Sequence, residues 1–126
     1  MPLGRQRIMA FVATAEPERA QRFYCDVLGL ELVEDTPFAL VFATGGAVLR
    51  MQKVATVSLA PYTALGWQVA DVAGMVETLT AKGVEFARFP GLAQDSLGTW
   101  TAPDGQKIAW FKDPDGNILS LSPIES

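Results

Sequence analysis

The sequence contains no histidine and one cysteine, Cys25. Histidine is the commonest metal ligand and the usual general base near neutral pH, so its absence removes both roles. Zinc sites built on histidine or cysteine are nearly excluded, which leaves an all-carboxylate site as a way to hold a metal. Serine–histidine and cysteine–histidine nucleophilic machinery is missing. A lone cysteine cannot form an internal disulfide. Basic blocks are missing as well. Lys and Arg total 10 against 14 Asp and Glu, for a net charge of −4, and no basic stripe marks a nucleic-acid surface. No apolar run approaches the ~20 residues of a membrane span. No apolar segment with a cleavage site follows Arg5 and Arg7, so no signal peptide is expected and the cytoplasm is the expected compartment. The expected partners therefore include neither nucleic acid nor membrane.

What is present describes one domain of 126 residues with 49% hydrophobic and 19% charged residues, enough for a proper core. The chain is organised around Asp113-Pro114-Asp115-Gly116-Asn117, where Pro presets φ, Asp and Asn bond nearby backbone, and Gly accepts a positive φ. Apolar Lys107-Ile108-Ala109-Trp110-Phe111 precedes it and alternating Ile118-Leu119-Ser120-Leu121-Ser122 follows, which predicts a β-hairpin. Upstream, residues 7–14 read as a strand, and Glu16-Pro17 opens a helix with Ala20, Phe23, Tyr24, Val27 and Leu28 on its apolar face, ended by Gly29. Strands are predicted over 30–33, 38–43 and 47–53, with a tight turn at Gly45-Gly46. Residues 54–62 read as a linker. A strand over 63–70 follows, then a helix capped by Asp71 and ending at Lys82-Gly83, a strand over 84–89, a loose loop over 91–97 and a short strand over 98–102.

Both halves read β-α-β-β-β, and the sequence repeats itself. Leu28-Gly29-Leu30-Glu31-Leu32 matches Lys82-Gly83-Val84-Glu85-Phe86, Glu16 matches Asp71, and Gly46-Ala47-Val48-Leu49-Arg50-Met51 matches Gly116-Asn117-Ile118-Leu119-Ser120-Leu121. Neither unit is expected to bury both faces of its sheet alone. The expected architecture is α+β: two tandem βαβββ modules, about 5–53 and 63–124, forming a curved mixed sheet around a cavity with helices outside.

Three stretches, taken in order and spacing, resemble the vicinal oxygen chelate superfamily of glyoxalase I, bleomycin-resistance proteins and extradiol dioxygenases. They are Pro17 with Phe23-Tyr24-Cys25-Asp26-Val27-Leu28-Gly29, then Val69-Ala70-Asp71-Val72 with Lys82-Gly83-Val84, then the Asp113–Asn117 turn. The resemblance implies a divalent metal held by four side chains, two on the first strand of each repeat and two on the last. Carried onto this chain, the positions are Met9 and Ala64, seven residues before Glu16 and Asp71, with Arg50 and Ser120. Methionine is soft, alanine has no donor atom, neutral serine is a poor ligand and arginine is a cation. The metal site is therefore expected to be absent, and no cofactor is expected.

Strand alternation places Phe11, Gln52, Gly66, Gln68 and Ser122 on the same face as those four positions. Ile8, Ala10, Leu49, Met51, Leu65, Trp67, Val69, Leu119 and Leu121 fall on the helix-covered face. The resemblance adds Trp110. The candidate ligand-binding set is Met9, Phe11, Arg50, Gln52, Gln68, Trp100, Trp110 and Ser120. Arg50 either clamps a carboxylate or phosphate, or pairs with a local acid such as Asp95 or Glu85, or reaches solvent. Trp100 and Trp110 either stack on a planar ligand or serve as core or interface aromatics. Asp95 is the candidate acid or base, and Cys25 reads as a buried inert thiol. Three functions stay open: a metal-free small-molecule-binding protein, an enzyme (lyase, isomerase or dioxygenase-like) working without the usual metal and moving protons through Asp95, Gln52 or Ser120, and a dimeric structural or interaction protein. A homodimer is implied by the resemblance.

Overall fold

The computed structural model describes residues 2–124. They divide into two compact units, one up to Ser58 and one from Leu59 onward. The division falls within the 54–62 stretch, which carries no regular element.

The first unit begins with a short 3-10 turn, Leu3–Arg5. Strand β1 (Met9–Thr14) leads into helix α1 (Pro17–Arg22), which continues as one turn of π-helix over Phe23–Val27. Strands β2 (Glu31–Asp35), β3 (Ala39–Thr44) and β4 (Ala47–Lys53) complete a mixed sheet of order β1-β4-β3-β2, with β1 parallel to β4. Pro17 occupies the first helical turn, where its missing N–H costs nothing. The π turn closes with the Leu28 N–H donating to the Phe23 carbonyl. Ala20 and Tyr24 are fully buried, and Tyr24 stacks on Phe42 of β3 with ring centroids 5.6 Å apart. Gly45 and Gly46 both take positive φ (52° and 85°), as a two-residue hairpin turn between β3 and β4 requires. The outer strand β2 carries a bulge between Leu32 and Glu34 and exposes Glu31, Glu34 and Asp35, charges that discourage pairing with another edge.

The second unit repeats the plan. Strand β5 (Leu65–Val69), helix α2 (Val72–Ala81), and strands β6 (Trp100–Thr101), β7 (Lys107–Lys112) and β8 (Ile118–Pro123) give the order β5-β8-β7-β6, with β5 parallel to β8. The Asp71 carboxylate caps α2 by accepting from the Gly74 N–H at 3.0 Å. Val72, Val76 and Leu79 are buried on α2, as are Ala109, Phe111, Leu119 and Leu121 on β7 and β8.

Two expectations are corrected. Residues 84–89 do not form a strand; only Phe86 bridges, to Phe111, and the Ala87 N–H donates to the Trp110 carbonyl at 2.7 Å. The outer edge of β7 is shared, because Trp100 and Thr101 occupy it at Ile108 and Lys107. The side chain of Gln94 takes over the ladder's role. Its Oε1 accepts from the Phe89 N–H at 2.8 Å, and its Nε2 donates to the Ala87 and Gly98 carbonyls at 2.9 and 2.7 Å. Ile8, expected against the helices, precedes β1 and is 73% exposed.

Candidate functional site

Each sheet has one face packed in its unit's core and one open face, and alternation along the strands decides which side chains each face receives. On β4, Leu49 and Met51 are fully buried, while Arg50 is half-buried and Gln52 exposed. On β1, Val12 and Thr14 are buried, whereas Met9 and Phe11 are 48% and 53% exposed. Arg50 lies opposite Phe11 on one side and Val41 on the other. Met9 lies opposite Val48, one pleat further along the same face. The structure thus brings Met9, Phe11, Arg50 and Gln52 onto one face, with Val41 as a neighbour. Ion pairs among the described residues include Arg19–Glu16 and Lys53–Asp35, and Arg50 has neither a salt bridge nor a hydrogen bond among them.

The second unit's open face is aromatic and polar. Trp110 lies opposite Ser120, and Ser120 lies opposite Gly66. A Cβ built on Gly66 would collide with Ser120 Oγ, so any other residue there would force that hydroxyl to turn away. Trp100 and Trp110 lie 6.1 Å apart between ring centroids at 34°. Phe89 meets Trp110 edge-on at 5.4 Å. Gln68 pairs with Ser122 on the same face. Ala64 lies ahead of β5, exposed, its N–H donating to the Ile118 carbonyl at 2.8 Å. A pocket of ≈ 160 Å³ opens beside Gln68 and Ser122, lined further by Ala102, Asp104, Gln106, Ile108 and Pro123. Phe89, Asp104 and Gln106 were not legible as site residues. Phe89 sat in a predicted strand, and the other two between predicted strands.

Asp95 organises its own loop. Its Oδ1 accepts from the Leu97 and Thr99 N–H groups at 3.0 and 2.8 Å, with the side chain at the surface. Cys25 lies in the π turn, half-buried; burial and the neighbouring Asp26 carboxylate push its thiol above the ordinary value, against a lowering hydrogen bond with the Leu32 backbone.

The model of the Glyoxalase/Bleomycin resistance protein/Dioxygenase superfamily matches residues 6–121. The chain belongs to this superfamily. Among solved structures it is similar to lactoylglutathione lyase from Agrobacterium tumefaciens, at 17% identity and a TM-score of 0.73 over 94% of this chain and 93% of that one. A superfamily member from Sphaerobacter thermophilus shares 22% identity, with a TM-score of 0.72 over 94% and 97% of the two chains. A glyoxalase-related enzyme from Fulvimarina pelagi also shares 22%, with a TM-score of 0.70 over 95% and 88%. At these identities the likeness concerns the fold. No curated protein matches the sequence.

For a superfamily member, the positions implied for metal ligands are Met9, Arg50, Ala64 and Ser120, and their donor chemistry does not suit a divalent cation. Among the described residues, no group of three or more His, Cys, Asp and Glu side chains is placed to hold one elsewhere. No helix of the described residues is long and apolar enough to cross a membrane.

Proposed function

We propose that this superfamily member binds a small organic molecule on the open face of its sheet, anchored by Arg50, without a metal or other cofactor. The observation that carries this reading is half-buried Arg50 between Phe11 and Val41, its guanidinium unpaired among the described residues. Guanidinium is a planar fork of donors that engages carboxylate or phosphate through two parallel hydrogen bonds. Phe11 and Val41 offer apolar surface beside it. A ligand with one anionic group and a hydrophobic body matches that combination. On the second unit's face, Trp100, Trp110 and Phe89 form an aromatic cluster suited to a planar group, with Ser120 and Gln68 supplying polar contacts.

Catalysis by Asp95 receives less support, since one carboxylate oxygen is engaged with two backbone N–H groups of its own loop. A homodimer is a second reading, favoured by the exposure of Phe38 (75%) and Ile8 (73%). Sedimentation of the purified chain across concentration tests it, and a monomer throughout would sink it.

The test of the first reading is a calorimetric titration with phenyl phosphate and benzoate, against benzyl alcohol as the uncharged control, using wild type and Arg50→Ala. Losing a charge-assisted pair weakens binding by roughly ten- to one-hundred-fold. Equal binding by both proteins removes Arg50 from the site. Metal content by mass spectrometry accompanies it. Stoichiometric metal in the purified protein would overturn the metal-free reading.

A further inference from the structure

The pocket beside Gln68 and Ser122 has a chemistry of its own. Its lining holds one formally charged side chain, Asp104, with the amides of Gln68 and Gln106 and the hydroxyl of Ser122. Ala102, Ile108 and Pro123 complete it as an apolar wall. Asp104 Oδ1 accepts from the Gln106 N–H at 3.0 Å, which fixes the carboxylate within the turn between β6 and β7 and leaves Oδ2 available. The nearest basic residue along the chain, Lys107, alternates with Ile108 and so stands on the opposite face of β7. Asp104 makes no ion pair among the described residues.

We propose that this pocket is a binding site for a primary alkylammonium group. The carboxylate supplies the counter-charge, the two amide oxygens and the Ser122 oxygen accept the remaining N–H bonds, and Ile108 and Pro123 receive the alkyl stem. An ammonium carries three donors and no acceptor, which suits a lining with four side-chain acceptors and no cation. A hard divalent metal fits worse, because a single carboxylate is present to meet a double positive charge. The volume, ≈ 160 Å³, equals about five water molecules, enough for a head group and a short alkyl chain. The site shares Gln68 with the second unit's open face but uses no residue of the Arg50 face, and it does not rest on the reading of Arg50.

The experiment is a two-dimensional NMR titration of the full chain with n-butylammonium chloride, with sodium butyrate and sodium chloride at matched ionic strength as controls. The expected result is saturable movement of the Gln68 and Gln106 side-chain amide signals and of the Asp104–Gln106 backbone signals with butylammonium alone. Asp104→Asn keeps an oxygen for the Gln106 N–H and so preserves the turn. It is expected to weaken butylammonium binding by about ten-fold, as loss of a charge-assisted pair predicts. Arg50→Ala is expected to titrate like wild type, which separates this proposal from the anion-binding one. The same movement with butyrate, an unchanged titration in Asp104→Asn, or no saturable movement at all would overturn it.

Discussion

In the turn between β7 and β8 one polar substitution should cost heavily. Asp113 is 5% exposed, and its Oδ1 accepts from the Asp115 and Asn117 N–H groups at 3.0 and 2.9 Å. Its Oδ2 accepts from Asn117 Nδ2 at 2.8 Å, and Asn117 is itself 8% exposed. Asp113→Ala removes three charge-assisted bonds, two of them from donors on the buried Asn117. A hydrogen bond to a charged group contributes about 1.5–3 kcal/mol net, and each orphaned buried donor costs about 1–3 kcal/mol. These contributions overlap, so the expected loss is roughly 3–5 kcal/mol, at the high end for single substitutions. For a chain of this size that corresponds to a fall in Tm of about 12–20 °C. Asp113→Asn keeps an oxygen for both backbone donors, and Asn117 can turn its amide to accept from the new one. Its expected cost is about 1–2 kcal/mol, the loss of charge assistance. Urea unfolding followed by circular dichroism measures both. A cost below about 1 kcal/mol for Asp113→Ala, or equal costs for the two variants, would refute the view that this carboxylate holds the hairpin.

Two further outcomes follow from buried groups. Thr99 is 3% exposed, and its Oγ1 has no hydrogen-bond partner among the described residues, so Thr99→Val, of the same shape, should stabilise the protein by about 1 kcal/mol in the same urea experiment. The Cys25 thiol is raised in the folded state, so the unfolded chain loses its proton first. The resulting stability is fully present below the unfolded thiol pKa and is lost as pH rises through the folded value. Cys25→Ala should remove that alkaline decline, and iodoacetamide should label the folded wild type more slowly than the unfolded chain.

Much of the fold was legible because local signals agreed with packing. Gly45-Gly46 and the alternation of Leu49 and Met51 set β4 to the residue, and Asp71 marked the start of α2 through a bond its side chain does make. Residues 84–89 have the composition of a strand, yet their backbone partners come from the side chain of Gln94 and from an edge already shared with Trp100 and Thr101. That competition is decided by tertiary contacts, which a pattern of period two does not encode. The π turn over Phe23–Val27 escaped for a similar reason: one extra residue in a single turn barely disturbs a 3.6-residue apolar pattern. On the open faces, the family pattern and the internal repeat pointed to Arg50 and Ser120, alternation added Phe11 and the resemblance Trp110, whereas Phe89 joined Trp110 only through the loop that Gln94 holds.

The internal repeat explains how a superfamily fold persists with unsuitable residues at the positions implied for metal ligands. Arg50 and Ser120 are equivalent by sequence and by place, each on an inner strand with a parallel neighbour on one side and an antiparallel one on the other. The residues that bracket them carry the packing: Leu49 and Met51 are fully buried, as is Leu119, and Leu121 is 3% exposed. The side chain between them belongs to the open face, so replacing it costs the core little. The two units have used that freedom in opposite directions. Arg50 stands between Phe11 and Val41, and Ser120 between Gly66 and Trp110, so bulk lies on the parallel neighbour in one unit and on the antiparallel neighbour in the other. One scaffold therefore presents a cation against moderate apolar surface and, in its second copy, a small hydroxyl beside a large indole. Equivalent backbone positions thus carry unlike chemistry, a guanidinium in one unit and a neutral hydroxyl in the other, and neither is a strong donor to a divalent cation.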